Sequence, residues 1–177
     1  ITTLNYAEER RGVSLLSSVT DPSGRVVNIT YYPNEGDLLW NKIKQIQETV
    51  NASHPRTITY EYDASSNLTH VQETRDYEGT EYIDRYFTYD ANGFMLTYTD
   101  PRGTILHNEF DAEGRVIKQH EHNPNIDGGG SNRLVYELAY EGPNANAPES
   151  THCTLVKNYR DVSTFYSTRY CFNASEL

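Results

Sequence analysis

Polar and apolar positions in this chain alternate in short runs. In RTITYEYD, Ile58, Tyr60 and Tyr62 share one face, while Thr57, Thr59 and Glu61 share the other. A period of two marks a half-buried strand. RLVYELAY repeats the pattern, with Leu134, Tyr136, Leu138 and Tyr140 on one face. Between such runs stand Asp-x-x-Gly elements: Asp21-Pro-Ser-Gly24, Asp90-Ala-Asn-Gly93, Asp100-Pro-Arg-Gly103 and Asp111-Ala-Glu-Gly114. Aspartate can accept from the backbone two residues on, and glycine takes positive φ without steric cost. Proline at the second position pre-sets φ for a type I or II turn. Turn glycines at Gly79, Gly93, Gly103 and Gly114 lie 14, 10 and 11 residues apart. Strands rich in Tyr, Thr, Val and Ile between such turns predict a run of antiparallel hairpins. One hairpin is marginal in water, so the units are expected to stack and bury a face. The predicted fold is all-β.

Two places break the alternation. Residues 37–50, DLLWNKIKQIQETV, put Leu39, Ile43, Ile46 and Val50 on one helical stripe. A short amphipathic helix packed on a sheet fits this stretch. A further strand after the Asn34-Glu-Gly36 turn fits it too, and both readings stay open. NPNIDGGGSN (123–132) and EGPNANAPES (141–150) read as loops and as protease-sensitive points. The expected organisation is a hairpin array over 1–122 and a C-terminal hairpin segment over 123–177.

The units repeat. YEYDASSNLTHVQETRD from Tyr60, YFTYDANGFMLTYTDPRGT from Tyr86 and NEFDAEGRVIKQHEHN from Asn108 align on an aromatic residue followed by aspartate. The aspartates Asp63, Asp90 and Asp111 are 27 and 21 residues apart, and SVTDPSGRVVNITYYPNEGDLL from Ser18 repeats the Asp-Pro-x-Gly element. This pattern resembles the YD repeats of Rhs-type proteins, which are related to repeats of teneurins and of toxin-complex shells. The matching positions are Tyr60, Tyr62, Asp63, Tyr89, Asp90, Gly93, Asp100, Gly103, Asp111, Gly114 and Arg115. Phe110 replaces a tyrosine, and Asn67 stands near a glycine position. The match is clear over 56–122, looser back to about residue 13, and weak beyond 123. The resemblance implies a β-hairpin solenoid or part of a β-shell. Large members of that family enclose a toxic C-terminal domain. Neither such a domain nor the family's autoproteolytic segment is read here. The chain is therefore expected to be a piece of a shell, a short relative, or a self-associating subunit.

Composition narrows the function. The chain has 177 residues and a formal charge of 15 − 25 = −10. An acidic surface repels phosphate backbones and anionic membranes, and it favours solubility. Tyrosine supplies 15 residues against 5 Phe, so burial is expected from rings whose hydroxyls stay wet or bonded. No apolar run approaches the ~18 residues of a membrane helix. The start, ITTLNYAEERRG, lacks Met and a signal-peptide layout, so a mature segment or an excised piece is expected.

Cys153 and Cys171 flank a polar stretch within strand-like runs, so a hairpin can bring them together. A disulfide and two free buried thiols are the two readings; the disulfide suits an extracellular or cell-surface setting. Asn28, Asn51, Asn67 and Asn173 open N-x-S/T triplets and are glycan acceptors if the source glycosylates. Such triplets also arise by chance in so polar a chain.

His120 and His122 alternate on one strand near Asp127, a metal-like pair weighed against plain surface histidines. Asn123, Asn125, Asp127 and Gly128 imitate half of an EF-hand loop, but its twelfth position is Leu134. No nucleophile, zinc, phosphate or dinucleotide motif appears, and His152 and Cys153 as strand neighbours point apart. No cofactor and no catalysis are expected. The expected role is a structural module that self-assembles through open sheet ends. A carbohydrate-binding adhesin using tyrosine-lined grooves is the alternative, against tyrosines that serve only as cross-strand ladders.

Overall fold

The computed structural model describes residues 1–6, 14–33, 38–49, 55–75, 81–122, 132–141, 150–161 and 163–173. Among them are thirteen β-strands and no helix. The chain forms two compact units, Ile1–Phe87 and Thr88–Leu177. The first holds β1 (Thr3–Tyr6), β2 (Leu16–Thr20), β3 (Val26–Tyr31), β4 (Ile43–Thr49), β5 (Arg56–Tyr62), β6 (Leu68–Thr74) and most of β7 (Tyr82–Tyr89). The second holds β8 (Met95–Thr99), β9 (Ile105–Phe110), β10 (Val116–His122), β11 (Arg133–Glu141), β12 (Ser150–Tyr159) and β13 (Phe165–Asn173). Within each unit the strands lie in chain order, each antiparallel to the next.

The helix reading of 37–50 is overturned. Residues 38–41 form a turn, with Asn41 at φ 65°, and Ile43–Thr49 is strand β4. Asp37 and Val50 lie outside the described residues. A β-bulge produces the false helical signal. Thr30 pairs with Gln45 but Tyr31 pairs with Ile43, which leaves Lys44 as the extra residue. A bulge moves the following side chains to the other face. Ile43 and Ile46, three apart in sequence, therefore sit opposite Tyr31 and Ile29 on one face.

Register gives the sheet of the first unit two unlike faces, because cross-strand partners point the same way. One face carries Ile29, Ile46 and Ile58, joined by Tyr60 opposite Val71. The other carries an unbroken polar row: Thr30, Gln45, Thr59, Gln72 and Asp84 face one another in turn across five strands. Beside it runs a second row, Asn28, Gln47 and Thr57, with Gln47 Nε2 donating to Thr57 Oγ1 at 3.4 Å. Thr57 N–H donates in turn to Thr74 Oγ1 at 2.8 Å. In the second unit a row alternates in charge across four strands: Glu109, Lys118, Glu137 and Lys157. Lys157 Nζ reaches Glu137 Oε2 at 2.7 Å, and Tyr159 OH donates to the same oxygen at 3.0 Å.

Burial is sparse. Among the described residues Cys153 is the buried apolar side chain, with Thr74 and Asn108 as buried polar ones. Asn108 sits in an amide relay: its Nδ2 donates to Met95 C=O at 3.0 Å, and Gln119 Nε2 donates to its Oδ1 at 2.9 Å. The tyrosines use their hydroxyls. Tyr31 donates to Leu16 C=O, Tyr62 to Ile43 C=O and Tyr140 to Val116 C=O, at 2.9, 3.1 and 2.9 Å. Leu16, Ile43 and Val116 each open a strand, and the tyrosine in each case comes from the strand that follows. A phenylalanine would fill the same space and lose that bond.

Cys153 and Cys171 are direct cross-strand partners on β12 and β13, and they form a disulfide with Cα atoms 4.1 Å apart. The bridge closes the hairpin that carries the most exposed strand of the second unit. Reduction, or the Cys153→Ala/Cys171→Ala pair, is predicted to lower unfolding free energy by about 3 kcal/mol, the loop-entropy value for this separation. Urea unfolding with and without a dithiol reductant measures it.

Candidate functional site

The repeated corner is the site around which the chain is organised, and five corners share one set of bonds. At Asp21, Asp63, Asp90, Asp100 and Asp111 the backbone N–H donates to the carbonyl four residues on, at 2.8–3.0 Å. The N–H three residues on donates back to the aspartate carbonyl at 3.0–3.1 Å. Oδ1 of each aspartate then accepts two more backbone N–H groups, two and four residues on, at 2.8–3.1 Å. The result is a three-residue hairpin loop ending in a left-handed residue. Gly24, Gly93, Gly103 and Gly114 take that place with φ of 87°, 85°, 82° and 78°.

At the Asp63 corner the left-handed residue is Ser66, with φ 71°. Ser66 thus holds the glycine position near which Asn67 stands. Asn67 sits one step later, where its Nδ2 donates to Asp63 Oδ2 at 3.1 Å. Arg25 and Arg115 hold the same place in their corners, and their Nε atoms donate to Oδ2 of Asp21 and Asp111 at 2.7 and 2.8 Å.

Corners also touch each other. Phe94, the last residue of the Asp90 corner, stacks on Phe110 at 5.2 Å between ring centroids, and its ring fills the space where a Cβ of Gly114 would stand. The guanidinium of Arg115 lies 4.4 Å from the Tyr140 ring centroid. Ser66 Oγ donates to Leu38 C=O at 3.1 Å.

The teneurin YD-shell family model matches residues 35–132, more than half of the chain. The chain belongs to the teneurin YD-shell family. A chain in the crystal structure of TcdB2-TccC3-Cdc42 is also similar, at 12% identity and a TM-score of 0.42. That alignment covers 95% of the present chain and 10% of the other, so the present chain spans about a tenth of its length. No curated protein matches.

The open strands of this YD-shell chain carry aromatic groups. On β13, Tyr166, Tyr170 and Phe172 occupy one face and are 65%, 53% and 47% exposed. On β1, Leu4 and Tyr6 share a face and are 51% and 58% exposed. The polar row of the first unit lines a groove of about 680 Å³. At its end His70 stacks on Tyr86 at 4.5 Å between centroids, and its Nε2 lies 2.8 Å from Asp84 Oδ1.

The histidine pair sits differently from the exposed run expected. His120 is half-buried, with Nδ1 3.4 Å from Glu109 Oε1, and it faces His107, a neighbour that sequence reasoning missed. His122 Nδ1 is buried without a partner among the described residues. Among the described residues no group of three His, Cys, Asp or Glu could hold a metal ion. Asn123, Asn125, Asp127 and Gly128 lie outside the described residues. Asn28 is half-buried in β3, and Asn173 closes β13. Asn51 lies outside the described residues.

Three of the corner carboxylates, Asp21, Asp63 and Asp111, are tuned by their donors. Side-chain bonds from Ser23 and Arg25 hold Asp21 far below the usual carboxylate range. Backbone and side-chain bonds from Asn67 lower Asp63. Desolvation pulls Asp111 upward, and the Arg115 bonds outweigh it. His70 lowers Asp84, and Lys157 with Tyr159 lowers Glu137. Carboxylates with depressed folded values contribute stability above their unfolded value near 4, and that stability is lost as pH falls through the lowered values. The urea midpoint is therefore predicted to fall below about pH 4. Asp63→Asn keeps an acceptor oxygen but loses the charge, so its pH slope should be shallower. A midpoint independent of pH between 5 and 2 contradicts this.

Positive φ makes a second prediction. Ser66→Gly relieves a left-handed L-residue by roughly 1 kcal/mol but loses the Ser66 Oγ bond to Leu38 C=O, worth about as much, so it should be close to neutral. Gly24→Ala meets open space and should lose about 1 kcal/mol from φ strain alone. Gly114→Ala should lose more, because Phe94 must also move. Denaturant titration of the three variants gives the order.

Proposed function

We propose that the chain is a structural wall module without catalytic activity, extended by further YD hairpins that pair with its open strands. The observation that carries this reading is the combination of family membership with exposed aromatic strands at β1 and β13. Among the described residues β1 pairs only with β2, and β13 only with β12. An unpaired strand edge with apolar side chains is a template for another strand. The module's proposed parts are the hairpin array over 1–122 and the C-terminal hairpin segment over 123–177, which the Cys153–Cys171 disulfide clasps.

An extracellular or cell-surface setting is part of this proposal. A cross-strand disulfide persists in oxidising compartments, and no helix among the described residues is long and apolar enough to cross a membrane. Asn28, Asn51, Asn67 and Asn173 are then proposed glycan acceptors. Nucleic acid is not a proposed partner, since the net charge is −10.

Light scattering after size exclusion, followed by electron microscopy, tests the proposal. The wild-type chain is predicted to form species larger than its 20.3 kDa monomer as concentration rises. Tyr170→Lys, which puts a charge on the open strand, should return it to monomer. Wild-type protein that stays a monodisperse monomer at high concentration defeats the assembly reading.

A further inference from the structure

The polar groove of the first unit has chemistry that the wall reading does not use. Its floor is the transverse row Thr30, Gln45, Thr59 and Gln72, with Tyr32 and Glu61 on its flanks. Strands lie ~4.8 Å apart, so four successive row members span ~14 Å at right angles to the strands. The volume, about 680 Å³, falls in the range of small-molecule sites, roughly 300–1,000 Å³.

The floor is unusually free. Gln72 Nε2 is engaged by Asp84 at 3.0 Å. The side chains of Thr30, Gln45 and Thr59 have no hydrogen-bond partner among the described residues. Each Thr hydroxyl both donates and accepts, and each Gln amide does the same. The neighbouring row, by contrast, satisfies itself through the Gln47, Thr57 and Thr74 bonds.

The flanks are fixed. Tyr32 OH donates to Tyr60 C=O at 3.1 Å, and its ring meets Tyr62 edge-on at 5.9 Å. Lys44, with Nζ 5.7 Å from the Tyr32 ring centroid, and Glu61 bring one charge of each sign to the lining. The site therefore favours neither anions nor cations, and its lining sets the hydroxyl and amide groups of the row beside the Tyr32, Pro33 and Tyr60 side chains. What fits is an uncharged chain that offers many hydroxyls, both donating and accepting, along its length.

We propose that this groove binds a neutral oligosaccharide laid across strands β3 to β6. The chain's hydroxyls pair with Thr30, Gln45 and Thr59, and a sugar ring packs beside Tyr32. The site lies within one unit, so it does not depend on assembly through the open strands.

A glycan array printed with neutral hexose and N-acetylhexosamine oligomers, alongside sulfated and sialylated ones, tests the proposal on the full chain. Hits are followed by calorimetric titration with the retained oligosaccharide. Gln45→Ala/Thr59→Val removes groups without partners among the described residues, and circular dichroism checks that its sheet is kept. Retention of neutral glycans, about tenfold or more weaker in this double variant and unchanged in Tyr166→Ala, supports the groove. No retention, retention of anionic glycans only, or equal affinity in the double variant overturns it. Binding by the Tyr170→Lys variant leaves the groove standing even where assembly fails, so the two readings fail separately.

Discussion

One carboxylate oxygen accepting two backbone N–H groups is the interaction on which the rest of this structure depends. A chain that reverses within three residues leaves amides pointing inward with no strand partner. Such groups are costly unless satisfied. Oδ1 of Asp21, Asp63, Asp90, Asp100 and Asp111 satisfies two in each corner. The carbonyl and amide of the same aspartate close the loop on both sides. Because these five reversals are tight, the strands on either side of each corner are sheet neighbours as well as sequence neighbours. Short reversals also keep pairing local, and local pairing avoids the large loop-closure entropy of distant strands.

The sheet holds its register with little buried apolar volume. Tyrosine hydroxyls tie down carbonyls at strand starts, amides relay between strands, and charges alternate along rows. This explains the composition: 15 Tyr against 5 Phe is what a half-buried sheet uses when each ring must also offer a donor. It also explains the two faces of the first unit. The isoleucines collect on one face, and the Thr and Gln groups that cannot join them form the groove row on the other.

The corners and the β class were legible because their signals are local. Aspartate, the positive-φ glycine and the alternating flanks all fall within one hairpin. The cysteine hairpin was legible for the same reason, with two strand-like runs around one polar middle. β4 was ambiguous because the Lys44 bulge gives Ile43 and Ile46 a helical spacing on a strand. Ser66 was missed because serine carries no sign of a left-handed backbone; its bond to Leu38 is a tertiary fact. His107 opposite His120, the Asn108 relay and the five-strand polar row depend on register between strands. Register accumulates through bulges and is not written in any one segment.

Native-state hydrogen exchange, resolved by residue, tests the corner most directly. The amides two, three and four residues after each of the five aspartates are predicted to exchange slowly. Replacing one aspartate by alanine should speed those amides in its own corner while the other four corners keep theirs. Fast exchange at those positions in the wild-type chain, or a uniform loss of protection from a single replacement, would contradict it.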